Sequence, residues 1–249
     1  MMLLDVGNTT IRWAFPGQDG LVGQGHFIHR GREFAGLAAT AWSGLAAPDV
    51  MAVANVAGPA MQESVAHWAV EHWNLQPLFL KASTRAAGVT NGYAVPGQLG
   101  VDRWAAMVAA WHEQQGAILV VDCGSAITLD YVDTSGRHHG GMIVPGLQMM
   151  RHSLSHETAN IDILPAVQAE SAGLLANATE AAIINGTVRM ATAMIDRTAT
   201  DIAGQSGDGI RVVMTGGDAP VIRPLLDSRT THDPDLVLKG VAILAEELT

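Results

Sequence analysis

The chain has 249 residues, of which 48% are hydrophobic and 15% charged, which is typical of an ordered globular protein. Its formal net charge of −10 argues against a nucleic-acid partner and against an anionic membrane surface, because phosphate groups would be repelled. A lone cysteine, Cys123, excludes an intramolecular disulfide framework and fits a reducing compartment. Because we find neither a signal-peptide pattern nor an apolar stretch of membrane-spanning length, we expect a cytoplasmic protein.

The first half of the chain alternates short apolar runs with segments of helical periodicity. In chain order it is predicted to form a strand up to Asp5, a turn region at 17–25, a strand at 26–29, a helix at 34–46, a strand at 50–56, a helix at 59–73, a strand at 78–81, a loop at 91–100 and a helix at 101–115. In the last of these helices Trp104 and Trp111 share one face, which predicts a place in the core or at an interface.

The second half repeats this succession. It is predicted to form a strand at 117–122, its hairpin partner at 128–132, a strand at 140–146, a helix at 147–156, an irregular stretch at 164–176, a long helix at 179–202, a strand at 211–215 and a last helix from Pro234-Asp235 to Leu248. His138 and His139 are expected in a solvated loop beside a glycine turn. The succession predicts an α/β fold with an internal duplication, divided into halves at 1–116 and 117–249.

One motif occurs once in each half. Leu3-Leu4-Asp5-Val6-Gly7-Asn8-Thr9-Thr10 and Val120-Val121-Asp122-Cys123-Gly124-Ser125-Ala126-Ile127-Thr128 are both apolar runs that end in Asp-x-Gly and small polar residues. Such a run predicts a buried strand that turns back on itself, with backbone N–H groups and small side chains available for phosphate oxygens. The carboxylate suits a hard cation such as Mg²⁺. Two copies therefore predict two similar halves that face one nucleotide.

Further motifs accompany this pair. They are Tyr93, Pro96, Leu99-Gly100-Val101-Asp102-Arg103-Trp104-Ala105, Leu129-Asp130, Gly140-Gly141-Met142-Ile143-Val144-Pro145-Gly146, Thr179, Gly186, Thr215-Gly216-Gly217 and Leu238-Lys239-Gly240. Together, over nearly the whole chain, these residues resemble the type III pantothenate kinases of the acetate-kinase/Hsp70/actin-like superfamily. The Gly-x-Asp-Arg-Trp segment between two Asp-x-Gly motifs makes the resemblance specific. Arg12 stands where the family often has Lys, and Ser125 where Thr is common.

The resemblance implies a fold, an activity and partners. The fold would be two similar actin-like (RNase H-like) halves with mixed sheets flanked by helices. The activity would be ATP-dependent phosphorylation of pantothenate to 4'-phosphopantothenate, the first step of coenzyme A biosynthesis, with Mg²⁺ and a monovalent cation (potassium or ammonium) as cofactors. A homodimer is also implied. Two alternatives remain open: a kinase for another small hydroxyl substrate, or a non-catalytic nucleotide-binding regulatory protein of the same fold.

For pantothenate, the resemblance implies Asp102 as catalytic base and Arg103 as the partner of the substrate carboxylate. Phosphoryl transfer needs a group that positions the attacking hydroxyl and accepts its proton, and the planar guanidinium of arginine can bind a carboxylate through two hydrogen bonds. The implied substrate-binding residues are Tyr93, Gly100, Val101, Asp102, Arg103 and Thr179. Each has an alternative reading: Asp102 as a helix cap, Arg103 as a surface residue, Tyr93 as a packing residue and Thr179 as an N-cap.

For the nucleotide and metal, the resemblance implies two groups of residues. ATP would be bound by Asp5, Val6, Gly7, Asn8, Thr9, Arg12, Gly124, Ser125, Thr215, Gly216 and Gly217, and metal by Asp5, Asp122 and Asp130. The alternative reading of each loop is an ordinary turn, and Thr128 could equally be a plain strand residue. Cys123 is not expected to act as a nucleophile, and His152 with His156 is not expected to bind a metal.

Overall fold

The computed structural model of the protein describes residues 1–114, 116–157, 174–207 and 209–248. In chain order its helices and strands are β1 (Met2–Val6), β2 (Thr10–Gly17), β3 (Gly20–Ile28), α1 (Phe34–Ala41), β4 (Met51–Asn55), α2 (Pro59–Trp73), β5 (Leu78–Phe79), β6 (Arg85–Ala86), β7 (Val89–Thr90), α3 (Val101–Gln114), β8 (Ile118–Cys123), β9 (Ala126–Val132), β10 (His138–Pro145), α4 (Leu147–Glu157), α5 (Thr179–Ser206), β11 (Arg211–Thr215), α6 (Ala219–Ile222), β12 (Thr230–His232) and α7 (Leu236–Glu246). None of the helices described is both long and apolar enough to cross a membrane.

The chain forms two compact units. The first comprises Met1–Gln115, Gly136–His138 and Asp235–Thr249, and the second comprises Gly116–Ser135 and His139–Pro234. The last helix, α7, thus belongs to the first unit. The division of the sequence at residue 116 stays a prediction. Of the irregular stretch predicted at 164–176, residues 164–173 lie outside the described residues.

Each unit is built on a five-stranded mixed sheet, and the two sheets have the same order. The first runs β3-β2-β1-β4-β5 and the second β10-β9-β8-β11-β12. In the first, β1 is antiparallel to β2 and parallel to β4, and in the second β8 is antiparallel to β9 and parallel to β11. The predicted α/β fold with internal duplication is therefore confirmed.

The first sheet is held by a core rich in aromatic side chains. Alternate residues of β1 and β2, among them Leu4 and Trp13, pack with Trp42 and Trp68. Helices α3 and α7 pack on each other and on β4. At their crossing, a Cβ atom on Gly240 would lie 1.9 Å from the Ala105 carbonyl oxygen, so the two helices approach backbone to backbone.

The predicted turn region at 17–25 is wrong for most of its length. Strand β3 begins at Gly20 and pairs with β2 as a hairpin. The sequence suggested a turn because of its glycines, but at least one of them has a packing role in the strand. A Cβ atom on Gly25 would lie 2.1 Å from the Trp13 ring, so the missing side chain makes room for the indole.

The second sheet has a more aliphatic core. Side chains of β8, including Leu119 and Val121, pack with α5 residues such as Val188 and Ile195. Strand β12, which was not predicted, pairs in parallel with β11. Because the unit repeats the first in strand order, β8 and its turn into β9 stand at the same topological position as β1 and its turn into β2.

Candidate functional site

The first Asp-x-Gly loop joins β1 to β2. Asp5 is partly buried near the end of β1 and lies opposite Arg12 in the β1–β2 register. Three hydrogen bonds hold the loop: the Gly7 N–H donates to the Thr10 carbonyl at 3.1 Å, His29 N–H to the Thr9 carbonyl at 3.0 Å, and His29 Nε2 to the Gly7 carbonyl at 2.8 Å. The last contact fixes the tautomer, since a carbonyl can only accept.

Asn8, at the tip of the first loop, is exposed, whereas Val6 is fully buried. The loop therefore presents small polar groups outward while Val6 anchors it in the core. Loops of small polar residues are a common setting for anion binding through backbone N–H groups and short side chains. The structure thus brings Asp5, Gly7 and Thr9 together with Arg12.

The second Asp-x-Gly loop joins β8 to β9. Asp122 lies opposite Thr128 in β9 and opposite Thr215 in β11. The Gly146 N–H donates to the Ser125 carbonyl at 3.0 Å, and the Gly124 N–H to the Ala126 carbonyl at 3.0 Å. Ser125 itself is exposed.

Gly216 closes the second loop from the side of β11. Its φ of +91° is one that residues with side chains rarely adopt, and a Cβ atom there would lie 2.4 Å from Asp122 Oδ1. The Asp218 N–H donates to the Cys123 carbonyl at 2.9 Å. The structure thus brings Gly216 against Asp122 and Cys123. Thr215 is buried, so its side chain is shielded from solvent.

Two charged side chains near the second loop, Asp218 and Arg151, are partly buried. Burial raises the pKa of Asp218, and Arg151 opposes that rise. Arg151 also donates from Nε to Thr187 Oγ1 at 3.1 Å. Burial, and after it the charges of Asp122 and Asp218, raises the pKa of the Cys123 thiol. The thiol is therefore neutral at physiological pH.

Two of the three predicted metal ligands suit Mg²⁺ by their chemistry. Asp5 and Asp122 are partly exposed carboxylates beside turns, and Mg²⁺ commonly takes one or two carboxylates with the phosphates of its substrate. Asp130 differs, since it is 2% exposed within β9. Among the described residues no group of three or more His, Cys, Asp and Glu side chains is arranged to hold a metal. His152 and His156, which stack at 3.8 Å, belong to no such group.

The Gly100-Val101-Asp102-Arg103 segment forms the start of α3. The Trp104 N–H donates to the Gly100 carbonyl at 3.0 Å, which begins the helical hydrogen bonds. Asp102 Oδ1 accepts from the Arg103 N–H at 2.7 Å. Because Asp102 is the second residue of α3, it lies inside the first turn, and its alternative reading as the cap of that helix is wrong. A Cβ atom on Gly100 would lie 2.5 Å from Asp102 Oδ1. Glycine at position 100 therefore makes room for the carboxylate.

Arg103 is not the surface residue of its alternative reading, because it is only 7% exposed. Its Nη1 donates to Tyr93 Oη at 3.0 Å, and its Cζ lies 5.7 Å from the centre of the Tyr93 ring. A buried guanidinium with a hydrogen bond and a nearby ring has a restricted orientation. The structure thus brings together Tyr93, Gly100, Asp102 and Arg103, with Val101 buried at the base of the helix.

His138 is a member of this group that the sequence analysis missed. The prediction of a solvated loop is wrong for His138, which is fully buried, while the side chain of His139 is 45% exposed. The His138 ring stacks on Tyr93 with centres 5.9 Å apart. The sequence did not indicate that one histidine is buried and the next exposed. Successive side chains of a strand point to opposite faces, but this rule could be applied only if the strand were known to begin at 138.

Thr179 is the first residue of α5 and is exposed. The N-cap of that helix is Ala178, so the alternative reading of Thr179 as N-cap is wrong. Thr179, the second Asp-x-Gly loop and 215–217 belong to the second unit, whereas 5–12 and 93–103 belong to the first.

The sequence matches a known protein family over most of its length. The family profile of type III pantothenate kinase matches residues 1–201. A protein of Nitrosococcus oceani named type III pantothenate kinase is 40% identical, with 99% of this chain and 94% of the relative covered. One of the same name from Alcanivorax borkumensis is 35% identical, with 98% of each chain covered.

Solved structures share the fold at low sequence identity. A Campylobacter jejuni protein whose name assigns it to the Baf family of transcriptional activators has a TM-score of 0.61 and 21% identity, with 100% of this chain and 98% of the other covered. A ROK family glucokinase from Streptomyces griseus, solved with glucose and AMPPNP, has a TM-score of 0.52 and 10% identity, with 99% of each chain covered. The fold is the predicted actin-like one, and the chain belongs to the type III pantothenate kinase family.

Proposed function

We propose that this protein transfers the γ-phosphoryl group of ATP to the primary hydroxyl of pantothenate, giving 4'-phosphopantothenate, the first intermediate of coenzyme A biosynthesis. The observation that carries the proposal is the group at the start of α3 in a chain of this family. There a carboxylate, Asp102, precedes a buried guanidinium, Arg103, which is oriented by Tyr93. This group offers a base for a hydroxyl and a cation for a carboxylate, and pantothenate carries both.

In this proposal Asp102 orients the substrate hydroxyl and accepts its proton. The hydrogen bond from the Arg103 N–H to Oδ1, at 2.7 Å, fixes the plane of the carboxylate before substrate binds. Phosphoryl transfer through a loose transition state needs mainly positioning, and proton removal comes late, so an ordinary carboxylate is a sufficient base. A side chain at Gly100 would displace this carboxylate, which supports a role for the glycine at that position.

Arg103 binds the carboxylate at the other end of pantothenate. The planar guanidinium can meet a carboxylate with two parallel hydrogen bonds, and the contact with Tyr93 Oη at 3.0 Å restricts its rotation. An arginine that is buried and oriented in advance loses less conformational entropy when substrate binds. Thr179 and Val101 complete the proposed set of pantothenate-binding residues.

The two Asp-x-Gly loops bind ATP in this proposal. In the first loop the contributing residues are Asp5, Val6, Gly7, Asn8, Thr9 and Arg12, and in the second unit they are Gly124, Ser125, Thr215, Gly216 and Gly217. The proposed metal ligands are Asp5, Asp122 and the buried Asp130, and a bound Mg²⁺ would neutralise charge on the phosphates. We further propose a monovalent cation (potassium or ammonium), a homodimer and a cytoplasmic location, as the family resemblance implies.

The proposal is tested by ADP release in the presence of ATP, Mg²⁺ and potassium, with and without pantothenate. We expect turnover that depends on pantothenate. In Asp102→Asn we expect kcat to fall by about 10²- to 10⁴-fold, the usual contribution of a general base, with KM for pantothenate changed much less.

The matched control is Glu113→Gln, which removes a carboxylate from the same helix. Glu113 forms a partly exposed ion pair with Lys239 at 2.7 Å, and such pairs contribute little to stability, so kcat should stay near the wild-type value. If Asp102→Asn keeps full turnover, the role of Asp102 is wrong. If the wild type shows no turnover that depends on pantothenate, the proposed activity is wrong, and tight nucleotide binding without turnover would favour a regulatory protein.

A further inference from the structure

His138 is a buried polar residue that the proposed chemistry does not use. It is fully buried, although it directly precedes the exposed His139. With Gly136 and Arg137 it belongs to the first compact unit, which also contains Tyr93 and Arg103. The Thr90 N–H donates to the Gly136 carbonyl at 2.8 Å, so hydrogen bonding ties the 136–138 segment to the strand that leads to Tyr93.

The His138 ring supports the face of Tyr93. The two rings are nearly parallel, at an interplanar angle of 14°, with centres 5.9 Å apart. In addition, the Gly92 N–H is directed at His138 Nδ1 at 3.5 Å, a long contact in which Nδ1 is the acceptor. One histidine thus contacts both the tyrosine ring and the backbone just before it.

The Tyr93 backbone is held separately, by Asn91. The Tyr93 N–H donates to Asn91 Oδ1 at 2.9 Å, while Asn91 Nδ2 donates to the Ser83 carbonyl at 3.1 Å and lies 3.3 Å from the Pro96 carbonyl. With the backbone fixed in this way, the freedom left to Tyr93 is mainly rotation of its side chain. The stacked His138 ring limits that rotation.

Tyr93 in turn orients the guanidinium. Its Oη accepts from Arg103 Nη1 at 3.0 Å, and Arg103 Cζ lies 5.7 Å from its ring centre. A shift of the Tyr93 ring would therefore move the hydroxyl to which Arg103 donates. Displacements of this kind, of about 1 Å, can reduce binding or rate by up to about 10²-fold.

We infer that His138 is a positioning residue for recognition of the substrate carboxylate: by supporting the Tyr93 ring it fixes the direction of the Arg103 guanidinium. The inference rests on the proposed function, because it assigns the carboxylate of pantothenate to Arg103. It adds a residue that does not touch the substrate and is distinct from the groups that handle ATP. His138 should therefore affect one substrate and one chemical group of that substrate.

The test compares two variants that keep volume in the buried site. His138→Leu removes the aromatic ring, whereas His138→Phe keeps the stack on Tyr93 and loses only the Nδ1 acceptor. We expect KM for pantothenate to rise about tenfold in His138→Leu and less in His138→Phe, with kcat and KM for ATP within about threefold of wild type. Near-UV circular dichroism establishes that each variant is folded.

A second substrate separates positioning from general damage. Pantothenyl alcohol has a CH₂OH group in place of the carboxylate, so its KM should be the same in wild type and His138→Leu. His139→Ala is the matched control, since His139 is exposed and faces Asp133 rather than Tyr93, and its constants should equal those of wild type.

Three results would overturn the inference. In the first, KM for pantothenate is unchanged in His138→Leu. In the second, it rises equally for pantothenate and the alcohol, or together with KM for ATP, which would indicate a structural role alone. In the third, the wild type has no activity with pantothenate, which the wild-type arm reveals by itself and which overturns the proposed function too. If His138→Leu does not fold, His138→Gln, which also lacks the ring, takes its place: its KM for pantothenate must exceed that of His138→Phe, and equal values in the two variants would overturn the inference.

Discussion

The two Asp-x-Gly loops follow equivalent strands in sheets of the same order, yet they are supported in opposite ways. In the first loop a side chain adds to the backbone hydrogen bonds, since His29 Nε2 donates to the Gly7 carbonyl at 2.8 Å. In the turn that follows the neighbouring strand β4, the Asn55 side chain accepts from the Ala57 N–H and donates to the Gly58 carbonyl, each at 3.0 Å.

In the second loop, close backbone packing depends on glycines, which have no side chain. Gly216 occupies the position after β11 that Asn55 occupies at the end of β4, since Thr215 pairs with Asp122 as Ala54 pairs with Asp5. A Cβ atom on Gly146 would lie 2.3 Å from the Gly124 carbonyl oxygen, and one on Gly216 would lie 2.4 Å from Asp122 Oδ1. The two units share one topology but surround their loops with different residues. The two loops should therefore respond differently to substitution.

The largest effect is expected from Gly216→Ala. Alanine at a φ of +91° is strained by about 1–3 kcal/mol, and its Cβ would overlap Asp122 and the Cys123 backbone at a further cost of about 1–3 kcal/mol. Urea unfolding should show a loss of about 4 kcal/mol in the free energy of unfolding. The neighbouring Gly217→Ala is the control, since a Cβ there meets nothing within 4 Å and should change the free energy by less than about 1 kcal/mol. Equal losses in the two variants would contradict this account of the second loop.

A smaller loss is expected from the equivalent change in the first unit, Asn55→Ala. The variant removes two hydrogen bonds of a partly buried side chain, which should lower the free energy of unfolding by about 1–2 kcal/mol. Asn55→Asp keeps the acceptor for the Ala57 N–H but no longer donates to the Gly58 carbonyl, so its loss should be intermediate at pH 7 if the two bonds act independently. An unchanged urea midpoint in Asn55→Ala would show that the turn after β4 does not depend on this side chain.

The smallest effect on stability is expected from Cys123. It is the middle residue of the second Asp-x-Gly motif, as Val6 is of the first, and both side chains are fully buried. Burial, followed by the charges of Asp122 and Asp218, raises the pKa of Cys123, whereas the thiol of the unfolded chain ionises near pH 8.5. Above that pH the unfolded state loses a proton that the folded state keeps, so stability falls as pH rises. Between pH 7.5 and 9.5 the loss should be on the order of 1 kcal/mol.

Cys123→Val removes this pH dependence and gives the second loop the residue of the first. Its free energy of unfolding at pH 7.5 should lie within about 1.5 kcal/mol of wild type, because the change nearly conserves volume. Urea midpoints at pH 7.5 and 9.5 measure the difference. If wild type and Cys123→Val lose the same stability over this range, the thiol does not contribute to it.

The sequence was a good guide wherever one local pattern decides the structure. Strands β4, β8 and β11 are apolar runs, and helix α2 begins at Pro59 and ends at Trp73 as predicted. It was a poor guide where a glycine is required by packing between strands. Gly25 in β3 is an example, since a side chain there would overlap the Trp13 ring. The short strand β12 was missed because three residues, Thr230–His232, carry too little periodicity.

The candidate site also has features that local sequence predicts and features that it does not. Its sequence motifs located the two loops and the Asp102-Arg103 pair, because small residues after a buried strand and a carboxylate at a helix start are local features. They could not show that Arg103 is buried against Tyr93, or that His138 lies beneath that ring. The second fact depends on a segment 35 residues beyond Arg103 that folds back onto the first unit, and local patterns do not encode such contacts.

The most direct test of the central claim identifies the product rather than the rate. Wild-type protein is incubated with ATP, Mg²⁺, potassium and pantothenate, and the reaction is followed by ³¹P NMR with proton coupling retained. We expect a phosphomonoester signal split by two methylene protons, which places the phosphate on the primary hydroxyl, together with ADP. A doublet from the secondary hydroxyl, or inorganic phosphate and ADP without any phosphoester of pantothenate, would contradict it.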